Sequence, residues 1–230
     1  MVTSLTRDDH ARITAAINTA EATTSGEVFC VLAHRVSSYR DVSLGWAAAA
    51  ALILPMLLIP LGFDPAWVPG VADSWESAHM AARDLTVGRA LAAYAVVQAA
   101  VFTVIFLLTC IPVIRRLVTP RMVRRARVRR AAMQQVLAHG LHNTPLRTGV
   151  LIFAALEDRQ VEIVADAGIH ERVDAAVWVQ AVDALTIALR DGRPADGFET
   201  AIAQVGAVLA EHFPPEALEA DHLSNRLVEI

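Results

Sequence analysis

The sequence predicts an α/β (α+β) sandwich, in which a small central sheet is flanked by helices and interrupted by a transmembrane hairpin of two helices. The hairpin is predicted because residues 44–63 and 90–114 contain no charged side chain. The sheet is predicted because residues 27–33 and 149–156 are short and almost wholly apolar, as expected of strands that are buried on both faces. Helical patterns accompany both of these runs.

The first element is a predicted helix that begins at Thr6 and continues to about Thr24. Thr6 and Asp9 have the spacing of a capping box, in which each side chain accepts a hydrogen bond from the other residue's backbone. Gly26 ends this helix, and the strand 27–33 (EVFCVLA) follows. A strand that is apolar on both faces needs neighbours, and no other strand follows before the hairpin. We therefore expect its partners after the hairpin.

The next two elements are the predicted transmembrane helices, residues 42–63 and 90–114. A helix rises about 1.5 Å per residue, so roughly 20 residues cross the ~30 Å hydrocarbon core of a bilayer. Both stretches are long enough. Neither contains Asp, Glu, Lys, Arg or His, and such groups normally line ion and proton pathways. The sequence therefore argues against a transporter.

Arginines are distributed unevenly around the two spans. Arg35 and Arg40 precede the first span, and eight arginines follow the second within residues 115–130, whereas the connection 64–89 has two arginines and four acidic residues. Positively charged flanks stay on the cytoplasmic side. We therefore expect a multi-pass protein of the plasma (inner) membrane with cytoplasmic termini and an external loop at 64–89.

The arginine cluster after the second span has three interpretations. It has no interleaved aromatic residues and no recognised nucleic-acid fold around it, so nucleic acid is not expected as a partner. The cluster is either a topology signal alone or also a contact for anionic lipid headgroups, worth about 1 kcal/mol per charge near the surface. The arginines predicted to contact headgroups are Arg115, Arg116, Arg121, Arg124 and Arg125.

The remaining elements follow the second span. Thr119 and Pro120 are a predicted N-cap and first position of a basic helix that ends at Gly140. The strand 149–156 and the strand 160–166 are joined by a tight turn of sequence EDR.

Two helices are predicted next, at 171–190 and 196–212, with apolar stripes at helical spacing. Residues 1–41 and 115–213 are thus two parts of one split domain. Residues 214–230 are predicted to be a loose acidic tail.

Three segments together point to a known family. They are residues 25–32 (SGEVFCVL), 148–169 (TGVLIFAALEDRQVEIVADAGI) and 193–202 (RPADGFETAI). These segments resemble the TPM domain, a small α/β module with a central sheet flanked by helices. The resemblance covers most of residues 5–35 and 118–213, and leaves the hairpin as an insertion.

The resemblance implies several different roles. Members include a chloroplast thylakoid protein that is linked to photosystem II repair and credited with phosphatase activity, an accessory protein of acetylcholine receptors, and bacterial membrane or secreted proteins. Metal binding at acidic residues is also implied. Members usually place the domain outside the cytoplasm behind a signal peptide. This chain departs from that pattern, because its domain is split and predicted to be cytosolic.

Candidate groups for phosphate-ester chemistry cluster at predicted strand ends. Asp166 and His170 offer a carboxylate and an imidazole for a divalent cation, calcium or magnesium, and Arg159 offers a guanidinium for a phosphate. The structural alternative is that the turn residues only connect strands and that Asp166 caps a helix. The complete set of candidates is Glu27, Asp158, Arg159, Asp166 and His170.

Two functions are compatible with these observations. The first is a membrane-anchored interaction or accessory module that helps another membrane protein to assemble or persist. The second is a metal-dependent, phosphatase-like hydrolase. We favour the first, because the predicted hairpin has no ionisable group and the acidic residues match no known catalytic constellation.

Overall fold

The computed structural model describes residues 5–58, 82–141, 147–215 and 225–230. The chain divides into two compact units, one formed by the residues up to Ser38 together with those from Arg121 onward, the other by residues 39–120. The described helices are α1 (Arg7–Glu21), α2 (Arg40–Leu58), α3 (Ala82–Cys110), α4 (Pro112–Val118), α5 (Arg121–Ala138), α6 (Ala167–His170), α7 (Val179–Arg190) and α8 (Pro194–His212).

The first unit is built on a four-stranded sheet in the order β3-β2-β1-β4. Strand β1 is parallel to β2 over its whole length, and β2 is antiparallel to β3. The predicted pairing of the two apolar strands on either side of the hairpin is therefore confirmed, as is the mixed α/β fold class. The strands are β1 (Glu27–Ala33), β2 (Gly149–Ala155), β3 (Gln160–Ala165) and β4 (Val228–Glu229).

Helices cover both faces of this sheet, which is why β1 and β2 are apolar on both sides. On one face, Val28, Cys30 and Leu32 of β1 lie in a core completed by side chains of α1, α7 and α8. On the other face, Phe29 and Val31 lie in a smaller core with α5. Fully burying one such side chain contributes roughly 1.5–3 kcal/mol to the stability of the fold. The two cores together therefore join the parts of the domain that precede and follow residues 39–120.

Helix α1 begins as predicted. The Thr6 hydroxyl accepts a hydrogen bond from the Asp9 backbone N–H at 3.1 Å, and the Asp9 carboxylate accepts one from the Thr6 N–H at 2.9 Å. At the other end of α1, Ala20 packs against Gly206 of α8. A Cβ at Gly206 would lie 2.7 Å from the Ala20 Cβ, so the two helices approach too closely for any other residue there.

The predicted helix 171–190 is wrong in its first half. The chain instead forms α6, then a 3-10 helix at Ala175–Trp178, and α7 begins only at Val179. Asp174 causes the break, since its carboxylate accepts a hydrogen bond from the Ala176 N–H at 2.8 Å and so starts a new turn. Val177 is consequently 42% exposed and does not continue the predicted apolar stripe.

The predicted loose tail is also wrong for its last residues. Strand β4 pairs in parallel with β1, placing Val228 beside Val31 and Glu229 beside Leu32. The pairing is possible because Leu227 is buried in the larger core. Residues 216–224 of this tail lie outside the described residues.

The second unit contains α2, α3 and α4. The small side chains of Ala47 and Ala51 in α2 and of Ala93 in α3 are buried. The Ser43 hydroxyl of α2 donates a hydrogen bond to the Thr109 carbonyl of α3 at 3.4 Å. By length and composition, the segments Arg40–Leu57 and Leu91–Cys110 are long and apolar enough to cross a membrane.

The structure revises the predicted ends of the helices in this part of the chain. Helix α3 begins at Ala82, inside the predicted loop, and ends at Cys110 because Pro112 starts the separate helix α4. Thr119 caps the end of α4 and not the start of α5, since its hydroxyl donates to the Arg115 carbonyl at 2.6 Å. Residues 59–81, which hold most of the predicted loop, lie outside the described residues.

Candidate functional site

Two of the predicted site residues lie at the same end of the sheet. Glu27 pairs with Gly149, and Ala165, which precedes Asp166, pairs with Val150. Glu27 and Asp166 therefore flank Gly149 in one row across three strands. Because side chains alternate along strands, both carboxylates share the face that carries α5. Between them, the Leu141 carbonyl oxygen lies 3.2 Å from the position that a Cβ of Gly149 would take.

Asp166 also caps a helix, as the structural alternative in the sequence analysis predicted. Its Oδ1 accepts a hydrogen bond from the Ala167 N–H at 2.6 Å and caps α6, which contains His170. Its other oxygen, Oδ2, is buried and has no hydrogen-bond partner among the described residues. His170 is exposed on α6.

The other two candidates lie at the opposite end of β3. Asp158 and Arg159 belong to the turn between β2 and β3, where Asp158 is buried and Arg159 adopts a left-handed backbone with φ of 49°. Their neighbour Glu157 holds this turn to the end of β1 through hydrogen bonds from Arg35 at 3.1–3.2 Å. At about 3.4 Å per strand residue, this group lies roughly 20 Å from Asp166.

The described residues do not fit a preformed site for a divalent cation. No group of three or more His, Cys, Asp or Glu side chains in the described parts of the chain could hold a metal ion. The pair Glu27 and Asp166 supplies two carboxylates, fewer than the oxygen-rich shell that calcium requires.

The arginines predicted to contact lipid headgroups differ in their surroundings. Arg125 lies 3.5 Å from the Glu162 carboxylate of β3, which also faces Arg129 at 3.8 Å. Arg121 is exposed, whereas Arg124 is partly buried. Arg115 and Arg116 belong to α4 in the second unit. Part of the basic helix is thus engaged with the sheet beneath it.

A cluster at the C-terminal strand was not predicted. The two oxygens of the Glu229 carboxylate contact different imidazoles, His10 Nε2 at 2.7 Å and His34 Nε2 at 3.1 Å. The three residues come from α1, from the residue after β1 and from β4. No local sequence pattern could have revealed the cluster, because roughly 200 residues separate Glu229 from each histidine.

The segment RPADGFETAI serves the packing of α8. Asp196 and Glu199 both accept hydrogen bonds from Arg12 of α1 at 2.9 Å, and these bonds raise the pKa of Arg12 and lower that of Asp196. A Cβ at Gly197 would lie 2.6 Å from the Ala188 Cβ of α7. The segment therefore joins α8 to α1 and α7.

Comparison with known proteins agrees with this architecture. The family model of the TPM domain matches residues 114–208. The resemblance to the TPM domain is thereby confirmed. In the structure, strand β1 from the beginning of the chain completes the sheet of the matched TPM segment.

A solved structure has a fold similar to that of this chain. The NMR structure of the BA42 protein from the psychrophilic bacterium Bizionia argentinensis is similar with a TM-score of 0.55 and 20% sequence identity, covering 99% of this chain and 96% of that one. At this identity the likeness concerns the fold alone. No curated protein has significant similarity to the chain.

Proposed function

We propose that this chain is a membrane-anchored TPM domain that acts as an interaction module for the assembly or maintenance of another membrane protein. The observation that carries the proposal is the division of the five candidate residues into two groups about 20 Å apart, at opposite ends of β3. Hydrolysis of a phosphate ester needs its charged groups held around one reacting atom. Residues divided in this way suit a binding surface better than a catalytic cleft.

The second unit supports the anchor. Only 22% of the residues in Arg40–Leu57 and 6% of those in Leu91–Cys110 are buried. Large apolar side chains such as Met56, Leu91 and Leu107 are at least 60% exposed. Exposed apolar surface of this extent marks contact with a membrane or another protein, and the absence of Asp, Glu, Lys and Arg from residues 42–57 and 91–110 favours the membrane.

The basic residues near the second span support the orientation. Arg116 and Arg121 are exposed and close in sequence to the end of α3, where anionic headgroups of the cytoplasmic leaflet would attract them. The proposed location is therefore the plasma (inner) membrane, with both termini in the cytoplasm.

One observation favours the phosphatase-like alternative. The carboxylates of Glu27 and Asp166 flank Gly149 on the same sheet face, and the buried Asp166 Oδ2 has no hydrogen-bond partner among the described residues. The two carboxylates lie two strand spacings, roughly 10 Å, apart, so the unsatisfied Asp166 oxygen by itself would attract a proton donor or a cation.

An activity assay separates the two functions. The purified full chain in detergent is incubated with a generic phosphomonoester and magnesium, manganese or calcium, and we expect no turnover above background. Turnover near the roughly 1–10³ per second typical of enzymes, lost in Asp166→Asn, would overturn the accessory function. Asn remains a good N-cap residue, so this variant removes the charge while α6 keeps its cap.

A crosslinking experiment tests the interaction directly. Val179 and Ile187 are apolar and more than half exposed, so α7 presents an apolar surface to a partner. A photoreactive residue replaces the exposed Ile187 or, as a matched control, the buried Leu185 on the same helix. We expect irradiated membranes to give a discrete adduct with one integral membrane protein from position 187 and none from 185. Equal labelling from both positions would contradict a defined interface on α7.

A further inference from the structure

The outer edge of β1 is occupied by the end of the chain itself. The Ile230 N–H donates to the Leu32 carbonyl at 3.0 Å, and the His34 N–H donates to the Ile230 carbonyl at 2.8 Å. Earlier along this edge, the Val28 N–H donates to the Glu21 carboxylate at 2.8 Å, so a side chain takes the place of a strand there. The outer edge of β1 can therefore pair with another strand through its main chain, and in this structure only residues 31–34 do so.

Side chains of the last residues occupy three different environments. Leu227 is buried in the core that contains α1 and α8, and Val228 packs against the core that contains α5. Glu229 lies between His10 and His34, one imidazole on each carboxylate oxygen. Peptide recognition by strand addition has this form, in which main-chain hydrogen bonds supply affinity and alternating side-chain sites supply specificity.

Residues 228–230 are held to the sheet by fewer main-chain pairs than the longer strands are. The ladder between β1 and β4 contains two residue pairs, whereas the ladder between β1 and β2 contains seven. Ile230 remains 49% exposed. Segments with few pairs open locally at lower free energy than the core strands do, so this strand is the part of the sheet most easily replaced.

We propose that the outer edge of β1 is a binding site for an extended peptide segment of a partner protein, with the pattern apolar, apolar, acidic, apolar, and that residues 227–230 occupy it in the absence of that partner. The two apolar positions enter the sites of Leu227 and Val228, and the acidic side chain binds His10 and His34. The inference deepens the proposed interaction function, on which it rests, by naming the class of partner.

The test uses the full chain in detergent and a fluorescent peptide of sequence NRLVEI, which copies residues 225–230. The variant Glu229→Arg replaces the carboxylate that holds the chain's own strand. Because an internal occupant lowers the fraction of molecules that can bind, we expect this variant to bind the peptide at least about tenfold more tightly than the unaltered chain does.

Two controls assign the binding to the proposed contacts. The peptide NRLVQI, in which the acidic residue is neutral, should bind the Glu229→Arg chain more weakly than NRLVEI. Adding His34→Gln to that chain should remove the difference between the two peptides. The proposal would be overturned if the Glu229→Arg chain bound NRLVEI no more tightly than the unaltered chain. It would also be overturned if the unaltered chain formed dimers that Glu229→Arg dispersed, because the edge would then bind a second copy of the chain.

A second measurement needs no variant and therefore does not depend on its folding. Amide hydrogen exchange of the unaltered chain should be faster at Ile230 and His34 than at residues of β2 that pair with β1. Equal protection at these sites would show that the last strand does not open independently, and would overturn the proposal. Neither test involves catalysis or a native partner, so their failure would leave the outcomes of the turnover and crosslinking experiments untouched.

Discussion

Asp9 illustrates how a single side chain fixes the start of a helix. Hydrogen bonds from the Thr6 backbone and hydroxyl, with a smaller contribution from Arg12, lower the pKa of Asp9. The folded state thus favours the ionised carboxylate. Ionised Asp9 stabilises the fold at pH values above the unfolded-state pKa of about 3.9, and this contribution is lost as the pH falls through the lower pKa of the folded state.

We predict that Asp9→Asn reduces the loss of stability on acidification. Between pH 6 and pH 3, the free energy of unfolding in detergent, followed by circular dichroism, should fall less in Asp9→Asn than in the unaltered chain. Asp8→Asn is the matched control, because it removes the same charge from an exposed position of the same turn. Parallel pH profiles for Asp9→Asn and the unaltered chain would contradict the prediction.

The predictable residues were those whose partners are local. Thr6 with Asp9, and the cap at Asp166, each depend on neighbours within three residues in the sequence. Glu229 with its two histidines depends on contacts that form only once distant parts of the chain have folded. Asp158 and Asp166 were grouped as candidates although the predicted strand 160–166 already lies between them, and the β2–β3 hairpin places them at its opposite ends.

At the scale of elements, α5 is a basic helix that nevertheless packs on a sheet. Val128 and Ala132 are fully buried against it. Arg125 and Arg129, which are one turn apart on this helix, approach the carboxylate of Glu162, whose side chain is only 10% exposed. The two arginines are largely exposed, so each ion pair with Glu162 alone contributes little to stability. Together, however, they supply positive charge to a carboxylate that has lost most of its contact with water.

We predict a non-additive effect of removing these two arginines. Arg125→Ala and Arg129→Ala should each lower the free energy of unfolding by less than ~1 kcal/mol. The double variant should lose more than their sum, because Glu162 then has neither cation. Denaturant unfolding measures the cycle, with Arg130→Ala as a control on the exposed side of α5. If the effects of Arg125→Ala and Arg129→Ala on the free energy of unfolding were strictly additive, Glu162 would not couple these two arginines.

Strands were predicted more accurately than helices for a physical reason. The predicted strand 27–33 agrees with β1 residue for residue, because a strand covered on both faces is apolar at nearly every position. The prediction of one helix at 171–190 failed because Val173 and Val177 matched a helical stripe by spacing. In the structure, a hydrogen bond from the Ala176 N–H to the Asp174 carboxylate redirects the backbone between them. Strand β4 was missed because two residues carry no periodicity.

At the scale of the whole molecule, the uneven arginines predict the topology of the chain. A cysteine at Ser74 should react with a membrane-impermeant reagent in intact cells, and a cysteine at Ser224 should not. The background is suppressed by Cys110→Ala, while the native Cys30 is buried and burial raises the pKa of its thiol, which keeps it unreactive. Labelling at Ser224 with protection at Ser74 would reverse the topology.

The parallel pairing of β1 with β2 imposes an order on biosynthesis. More than a hundred residues separate Ala33 from Gly149, so at a synthesis rate of roughly 5–20 residues per second β1 leaves the ribosome about 5–20 s before its neighbour exists. Both apolar helices are made during that interval. On the proposed topology, the nascent chain reaches the membrane while β1 is still unpaired, and insertion of the hairpin precedes completion of the domain.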